Sequence, residues 1–481
     1  MCPLEPREIS TADAAAAAEA LDRAIAIAQL VREAGGRALV VGGWVRDRLR
    51  GRSSKDVDLE VFGLVSDRLR RLLEGVGPVN VVGESFTVYK VGDIDVALPR
   101  RESKTGRGHR GFDIVGDPDL SFEEAARRRD FTINAILWDP LTGEYIDPFG
   151  GCADLGARLL RVVDATTFRD DSLRVLRAVQ LAARLELTID PGSEALCRSI
   201  ALDDLPAERV WGEWQKLLLM ARRPSLGFAL AERLGVIERL FPECQALIGC
   251  EQDPEWHPEG DVWTHTLLVV DRARERIDDL PRPQGTAIML AAVAHDFGKP
   301  ATTFTDDEGR VRSPGHEEAG VAPALTFLDR LNVHTLEGYD VRRQVAGLVA
   351  HHLKPMMWHT SPTGVGEGAF RRLAQKVDLE LLARLAEADC LGRTGEFDCS
   401  AMRWFLERAR ALGVEHQPPS PLLLGRHLLA LGLSPGPSVG RVLSAVYQRQ
   451  LDGEVTTLEA AIALARQLIE REGADTPGGL T

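Results

Sequence analysis

The 481-residue chain is 44% hydrophobic and 27% charged. That is the balance of a soluble globular protein, and the length predicts several domains rather than one core. A net charge of −14 excludes a general nucleic-acid coat, which binds by counterion release from a basic surface, but leaves room for a local basic groove. Seven scattered cysteines without a C-x-x-C pair point to reduced thiols in the cytoplasm rather than a disulfide framework. The N-terminal MCPLEPREIS lacks the pattern of a signal peptide, and no apolar run is long enough to span a bilayer.

In chain order, an amphipathic helix is predicted from an N-cap at Ser10 or Thr11 to Gly35-Gly36. Short strands follow: ALVVGG is a β-branched run ending in glycines, KDVDLEVF alternates, and SFTVYKVGDIDVAL continues in the same style with a turn at Gly92-Asp93. Residues 99–120 read as a Gly/Pro/charge-rich loop. From about Ala153 the pattern is helical almost to the end. A non-periodic break, CEQDPEWHPEGDVW at 250–263, marks a domain boundary. The Pro-rich EHQPPSPLLL, 415–424, precedes a last helical pair, and the tail GADTPGGLT is expected to be disordered.

Asp56 and Asp58 stand two apart on a predicted strand, so they share a face, opposite Val57, Leu59 and Val61. Paired carboxylates repel, and divalent cations remove that cost. D-x-D alone more often marks a solvated strand face. Gly42-Gly43 upstream allow backbone N–H groups to approach phosphate at a helix start, and Arg46 follows with a guanidinium. A tight turn and a surface ion pair are the plainer roles for these residues.

The run GG-x-V-R-D, then D-x-D, resembles the class II tRNA nucleotidyltransferase and bacterial poly(A) polymerase family. The resemblance implies an α+β fold: a nucleotidyltransferase palm of mixed sheet and helices, then an all-α neck. It implies Mg²⁺ on Asp56 and Asp58, with Asp95 as a candidate third carboxylate. RRRDFTINAI (127–136) resembles the family's ribose-reading motif and implicates Arg129, Asp130 and Asn134. DDSLRVLRAVQLAARL (170–185) resembles its base-reading motif, with Asp171 and Arg174 expected at i and i+3 on one helix face and Arg177 as a phosphate contact or brace. Two positions depart from the family pattern: Asp170 stands for a Glu and Gln180 for an Arg. AERVWGEWQKLL (207–218), with Glu208, Arg209, Glu213 and Lys216, is read as mostly structural. The basic loop holding Arg100, Arg101, Lys104, Arg107 and Arg110 resembles the loop that switches nucleotide specificity. The implied partners are tRNA, CTP and ATP, with no membrane. CC-only, A-only and poly(A) addition stay open, as do a mainly hydrolytic enzyme and a non-catalytic RNA-binding protein.

Further on, His265, the doublet His295-Asp296, His316, His351-His352 and Asp389 interrupt apolar helices. One such histidine is more often a core residue. Several His/Asp positions on separate helices suit a divalent metal. Their order resembles the HD metal-dependent phosphohydrolase domain. The resemblance assigns His265, His295, Asp296 and Asp389 as ligands, with His316 and one of the neighbours His351 and His352 for a second metal; His351 is taken. A divalent transition metal of open identity would activate water on a phosphoester or 2′,3′-cyclic phosphate end. The expected domains are an N-terminal helix (1–35), head (36–152), neck (153–250), HD domain (251–400) and C-terminal helical region (401–481).

Overall fold

A computed structural model describes residues 11–82, 87–104 and 112–474. The chain divides into two compact units, Met1–Leu217 with Leu226–Leu240 and Leu218–Ser225 with Phe241–Thr481.

The first unit is built on a seven-stranded sheet. Its strands are β1 (Arg37–Val41), β2 (Val57–Phe62), β3 (Val79–Val82), β4 (Val88–Val91), β5 (Ile94–Ala97), β8 (Leu137–Trp138) and β9 (Tyr145–Ile146), in the order β3-β4-β5-β2-β1-β8-β9. Between them, β6 (Arg100–Lys104) and β7 (Phe112–Gly116) pair as a separate antiparallel hairpin. The loop expected over 99–120 therefore contains two five-residue strands. Arg101 is held there by Asp117 at 2.7 Å, whereas Arg107 and Arg110 lie outside the described residues.

β1 explains its own sequence. Ala38 and Val40 face one core with Leu59 and Val61 of β2, and Leu39 and Val41 face the other with Phe62. A strand covered on both faces must be apolar throughout rather than alternating. The helix Thr11–Glu33 covers the first face through Ala20, Ala24, Ile27 and Val31. It ends where predicted, with Gly35 at φ 86°. The helix Phe122–Arg127 covers the second face through Ala125 and Ala126. Beyond the sheet, the unit is helical, with Leu173–Leu185 and Ala207–Met220 carrying residues of the site.

The second unit is a helical assembly around a layer of buried helices, chiefly Val262–Arg274, Arg282–Ala294, Val341–His351 and Leu379–Gly392. Eleven residues of Arg282–Ala294 are buried, which marks it as the central helix: one apolar all round lies inside. The terminal helices Pro437–Leu451 and Leu458–Ala474 close a smaller core around Val442, Val446, Ala461 and Ala465. That places Gly473 and Ala474 of the expected tail in a helix; the rest of the tail lies outside the described residues. The expectation of free thiols needs a correction. Cys390 and Cys399 are disulfide-bonded, because the helix end at Gly392 and the helix start at Ser400 bring together two cysteines nine residues apart. Among the described residues, no helix is long and apolar enough to cross a membrane.

Candidate functional site

In the first unit, β2 and β5 run parallel, and their register sets Asp58 directly beside Asp95. Asp56 precedes β2 and is exposed; Val57, Leu59 and Val61 are buried behind it. Three carboxylates thus gather at the strand edge, with Lys90 Nζ 3.5 Å from Asp95. Withdrawal from bulk water, then the charge of Asp95, pushes the Asp58 carboxyl up to about 6, with Asp56 adding and Arg129 opposing. Crowded carboxylates of this kind are a cost in the metal-free protein that a divalent cation would relieve.

These carboxylates adjoin a pocket of about 410 Å³, within the range of small-molecule sites. Arg46, Arg128, Arg129, Arg174, Arg177, Arg184, Arg209 and Lys216 line it against Asp58, Asp130 and Asp171. Eight cations to three acids make a strongly basic cavity in an acidic chain, suited to a polyphosphate. Gly42 opens onto it at φ 75° and ψ −138°, a conformation closed to most side chains. A β-carbon there would sit 3.5 Å from the Arg129 guanidinium and 3.8 Å from the Asp58 carboxylate. The main chain therefore runs next to both groups, and Gly43 begins the short helix Gly43–Leu49.

One hydrogen-bonded chain crosses the pocket. Asp47 accepts two bonds from Arg46, each 2.9 Å. Arg46 donates to the Asn134 carbonyl at 2.8 Å, and Asn134 donates to Asp130 at 3.0 Å. Arg177 donates to the other Asp130 oxygen at 2.6 Å. Burial alone would raise the Asp130 carboxyl; Arg177 and Asn134 outweigh it and hold it below the usual carboxylate range. Arg46 is buried and spent on Asp47 and Asn134, so it braces the pair expected to read ribose. Asp130 and Asn134 are fixed before any ligand arrives.

Asp171 and Arg174 both line the pocket, but not as two residues of one helix. The helix starts at Leu173, after Ser172, and Asp171 lies in the turn before it. Arg209, 38 residues away on the helix Ala207–Met220, grips both Asp171 oxygens at 3.1 and 2.9 Å. Arg174 is clamped by the backbone carbonyls of Thr167 and Arg128 at 2.9 and 2.6 Å. Arg209 was read as structural; its role in orienting Asp171 had no local signal. Glu60 was also missed: it is buried in β2 and accepts from Arg128 at 2.6 Å and Arg129 at 3.3 Å. A glutamate on the apolar strand is the signal that could have found it. Gln180 lines the same pocket, and its carbonyl accepts from Arg184 at 3.0 Å.

In the second unit, the buried polar residues converge as two adjoining triads: His265, His295 and Asp389, then Asp296, His316 and His352. Ligand atoms within each triad lie within 4.8 Å of one another. His265 Nε2 is 3.0 Å from Asp389, and His316 Nε2 is 3.3 Å from both Asp296 and His352 Nε2. The neighbour taken from the sequence, His351, is outside both groups; His352 turns inward instead. Val341, Val345, Leu348 and Val349 form the buried stripe of the preceding helix, and His352 is four residues beyond Leu348. Helical phase, extended one residue past the helix end, is the signal that separates the neighbours.

The imidazoles are pre-set as ligands. His295, His316 and His352 each point Nδ1 at the carbonyl three residues earlier, at 2.8–2.9 Å. A carbonyl only accepts, so Nδ1 carries a proton and Nε2 faces inward. His265 is set the same way by Glu259, 2.8 Å from its Nδ1. His295 Nε2 is then buried without a hydrogen-bond partner, and faces an Asp296 oxygen at 3.2 Å. Burial opposes a proton on His295, but Asp296 outweighs it and raises the ring's affinity for one; a divalent cation would take that proton's place between the two groups, so the residues fit a divalent metal. Burial opposes ionisation of Asp296 and Asp389, yet His295 and Lys299 hold the first, and His265 and Arg393 the second, well below the usual range. Burial, then His316 and His295, pushes His352 down to about 3, keeping it neutral. Gly298 admits this packing: a β-carbon there would overlap the His316 carbonyl oxygen at 2.0 Å.

Known proteins share these parts in this order. Residues 38–161 match the poly A polymerase head domain, 186–248 the probable RNA- and SrmB-binding site of polymerase A, and 262–394 the HD domain. The multifunctional CCA protein of Xanthomonas campestris pv. campestris (strain B100) is 35% identical over 424 residues, covering 84% of this chain and 96% of that protein. That of Methylobacillus flagellatus is 34% identical over 442 residues, covering 88% and 97%. The fold matches the Bacillus stearothermophilus CCA-adding enzyme solved with CTP, at a TM-score of 0.63, 22% identity, and 95% and 98% coverage. It also matches the Thermotoga maritima CCA-adding enzyme solved with tRNA, at 0.54 and 19% over 95% and 98%. A head with a carboxylate trio on a basic pocket, followed by an HD unit with its histidines in place, places the chain in the multifunctional CCA protein family.

Proposed function

We propose that the protein adds CCA, or part of it, to the 3′ end of tRNA from CTP and ATP, without a nucleic-acid template, in the cytoplasm. The observation that carries this reading is the register of Asp58 beside Asp95 at the mouth of a basic, nucleotide-sized pocket. Asp56, Asp58 and Asp95 would hold Mg²⁺. Magnesium bound there supplies activation of the attacking hydroxyl and neutralises charge on the leaving pyrophosphate. The tRNA terminal hydroxyl attacks the α-phosphorus, the bond to the β-phosphate oxygen breaks, and pyrophosphate leaves. The pocket arginines take the triphosphate, with the main chain at Gly42 and Gly43 alongside. Asp130 and Asn134 face the ribose hydroxyls, selecting ribonucleotides. Asp171 and Arg174, held by Arg209 and by two carbonyls, offer fixed acceptors and donors to one base edge, in the manner that accepts C or A and rejects U or G.

The second unit supports a hydrolase for phosphoester or 2′,3′-cyclic phosphate ends, with a divalent transition metal held by His265, His295, Asp296, His316, His352 and Asp389. A bound metal would supply an activated water. Lys299, 2.8 Å from Asp296, offers charge to a phosphate oxygen.

The test offers the purified protein three primers: tRNA lacking CCA, tRNA ending in CC, and an unstructured oligo(A), each with CTP and ATP. Completion of both tRNAs to CCA is expected. Extension of oligo(A) without extension of tRNA would overturn the reading in favour of poly(A) addition.

A further inference from the structure

Beside the metal-binding triads, two loops of the second unit meet. One follows Cys250 and carries Trp256, His257 and Glu259; the other follows the helix Leu379–Gly392 and carries Arg393, Thr394 and Phe397. Glu259 joins them. One of its oxygens faces His257 Nδ1 at 2.9 Å and His265 Nδ1 at 2.8 Å, and the other accepts the Thr394 N–H at 3.3 Å. The His257 ring packs against the His265 ring, with centroids 4.6 Å apart. The Cys390–Cys399 disulfide closes the second loop at both ends.

At this junction the rings of Trp256 and Phe397 lie nearly parallel, 26° apart with centroids separated by 6.5 Å. Arg393 places its guanidinium 5.4 Å from the Phe397 centroid. Gly395 backs the same ring, since a β-carbon there would come within 2.6 Å of it. Phe397 is thus pinned from several sides, and it in turn braces an indole that remains 54% exposed. Most of this indole face is left uncovered by its one ring neighbour, and Trp256 is the residue immediately before His257. Arg393 follows directly on the helix that carries Asp389, so the loop with the aromatic pair continues from one of the triads.

We infer that Trp256, braced by Phe397 and Arg393, is a stacking surface for a nucleobase, and that it makes the metal site select phosphoesters carried on a nucleoside. The inference deepens the hydrolase reading above and rests on it. A base stacks on any aromatic face without need of a sequence, and a cation flanking the same ring suits the phosphate that the base carries. The occupant is the terminal nucleotide of an RNA whose 2′ or 2′,3′ phosphate reaches the metal.

The experiment compares hydrolysis of adenosine 2′-phosphate and of glycerol 2-phosphate, which lacks a ring, by metal-loaded wild type, Trp256→Ala and Phe397→Leu. Quenching of indole fluorescence by adenosine 2′-phosphate is recorded for each. Trp256 is exposed, so its loss leaves the core packing alone. The kcat/KM ratio of nucleotide to glycerol ester is expected to fall about tenfold or more in Trp256→Ala, chiefly through KM, as loss of one base stack predicts. Quenching should lose its Trp256 component, and Phe397→Leu should be intermediate. An unchanged ratio, with wild type active on both esters, would overturn the stacking surface and leave the hydrolase standing. Wild type inactive on both esters, but with Trp256-dependent quenching, would overturn the hydrolase and keep nucleotide recognition. Absence of both would overturn the two together.

Discussion

The carboxylate site of the first unit and the histidine site of the second both gather charge for divalent cations, but from opposite surroundings. Asp56 and Asp58 reach solvent at the pocket mouth, Asp58 with part of its hydration stripped by the surrounding walls; neither has a cation partner within ion-pair distance among the described residues, and they adjoin a pocket lined by eight cations. His265, His295, Asp296, His352 and Asp389 are buried, each imidazole locked by its own acceptor. The first arrangement suits a metal that comes and goes with a nucleotide. The second suits a metal that stays. In the head, the fixed parts are the residues proposed as readers, Asp130, Asn134, Asp171 and Arg174; in the second unit they are the proposed ligands themselves.

The comparison breaks most sharply at Asp58. Asp58→Ala removes a central carboxylate, and nucleotide incorporation into tRNA should fall by about 10³-fold or more, the scale of lost metal-centred charge stabilisation. Adenosine 2′-phosphate hydrolysis should be untouched, because the second site has its own ligands. A parallel fall in both activities would show the sites to be one functional system.

Next in size is the histidine pair. His352→Ala should weaken transition-metal binding by about 100-fold or more, above the usual effect of an outer partner. His351→Ala should change it by no more than about threefold, since that ring lies outside both triads. Metal content after dialysis, measured by mass spectrometry, separates them. Loss of metal on changing His351 alone would reverse the assignment.

Glu259→Gln tests whether the second site is locked as the hydrogen bonds imply. The amide can no longer hold His265 as a charged acceptor, so metal affinity should drop about 10- to 100-fold, with the ligand set intact. An unchanged affinity in a metal competition titration would mean that His265 is oriented by packing alone.

How much of this was legible in the sequence follows the same division. Local pattern gave the strand face of Asp58 and the helix Thr11–Glu33, because periodicity is a property of consecutive residues. The doublet His295-Asp296 stands out as polar residues that follow directly on the apolar helix Arg282–Ala294. What failed were pairings across distance. The parallel register joining Asp58 to Asp95 is set by β1, β4 and the helix Ser66–Glu74 together. Arg209 reaches Asp171 from 38 residues away, and Glu259 reaches Thr394 from 135. The hairpin β6–β7 falls in a segment that reads as loop because it is rich in Gly, Pro and charge, yet its pairing rests on backbone hydrogen bonds, which need no apolar period. His351 was preferred to His352 because identity alone does not carry helical phase.

The smallest expected effect is the one that distinguishes the two metal environments by proton count. With its carboxyl pushed up to about 6, Asp58 holds a proton in the metal-free protein below that pH, and a magnesium ion must displace it. Apparent affinity for Mg²⁺ should therefore fall by up to about tenfold per pH unit below 6 and level off above about 7. The sign follows from the raised value: the folded protein binds this proton more tightly than the unfolded chain, so raising pH from 4 toward 6 costs metal-free stability and favours metal. Calorimetry of Mg²⁺ with CTP in buffers of different ionisation heat should show proton release at pH 5.5 and almost none at 7.5. Asp296 and Asp389, held well below the usual range, have no carboxylate proton to release over that interval. Equal release at both pH values in the head would mean that Asp58 is not the group that couples metal to protons, and the contrast between an open, strained carboxylate site and a closed, pre-ionised one would lose its chemical basis.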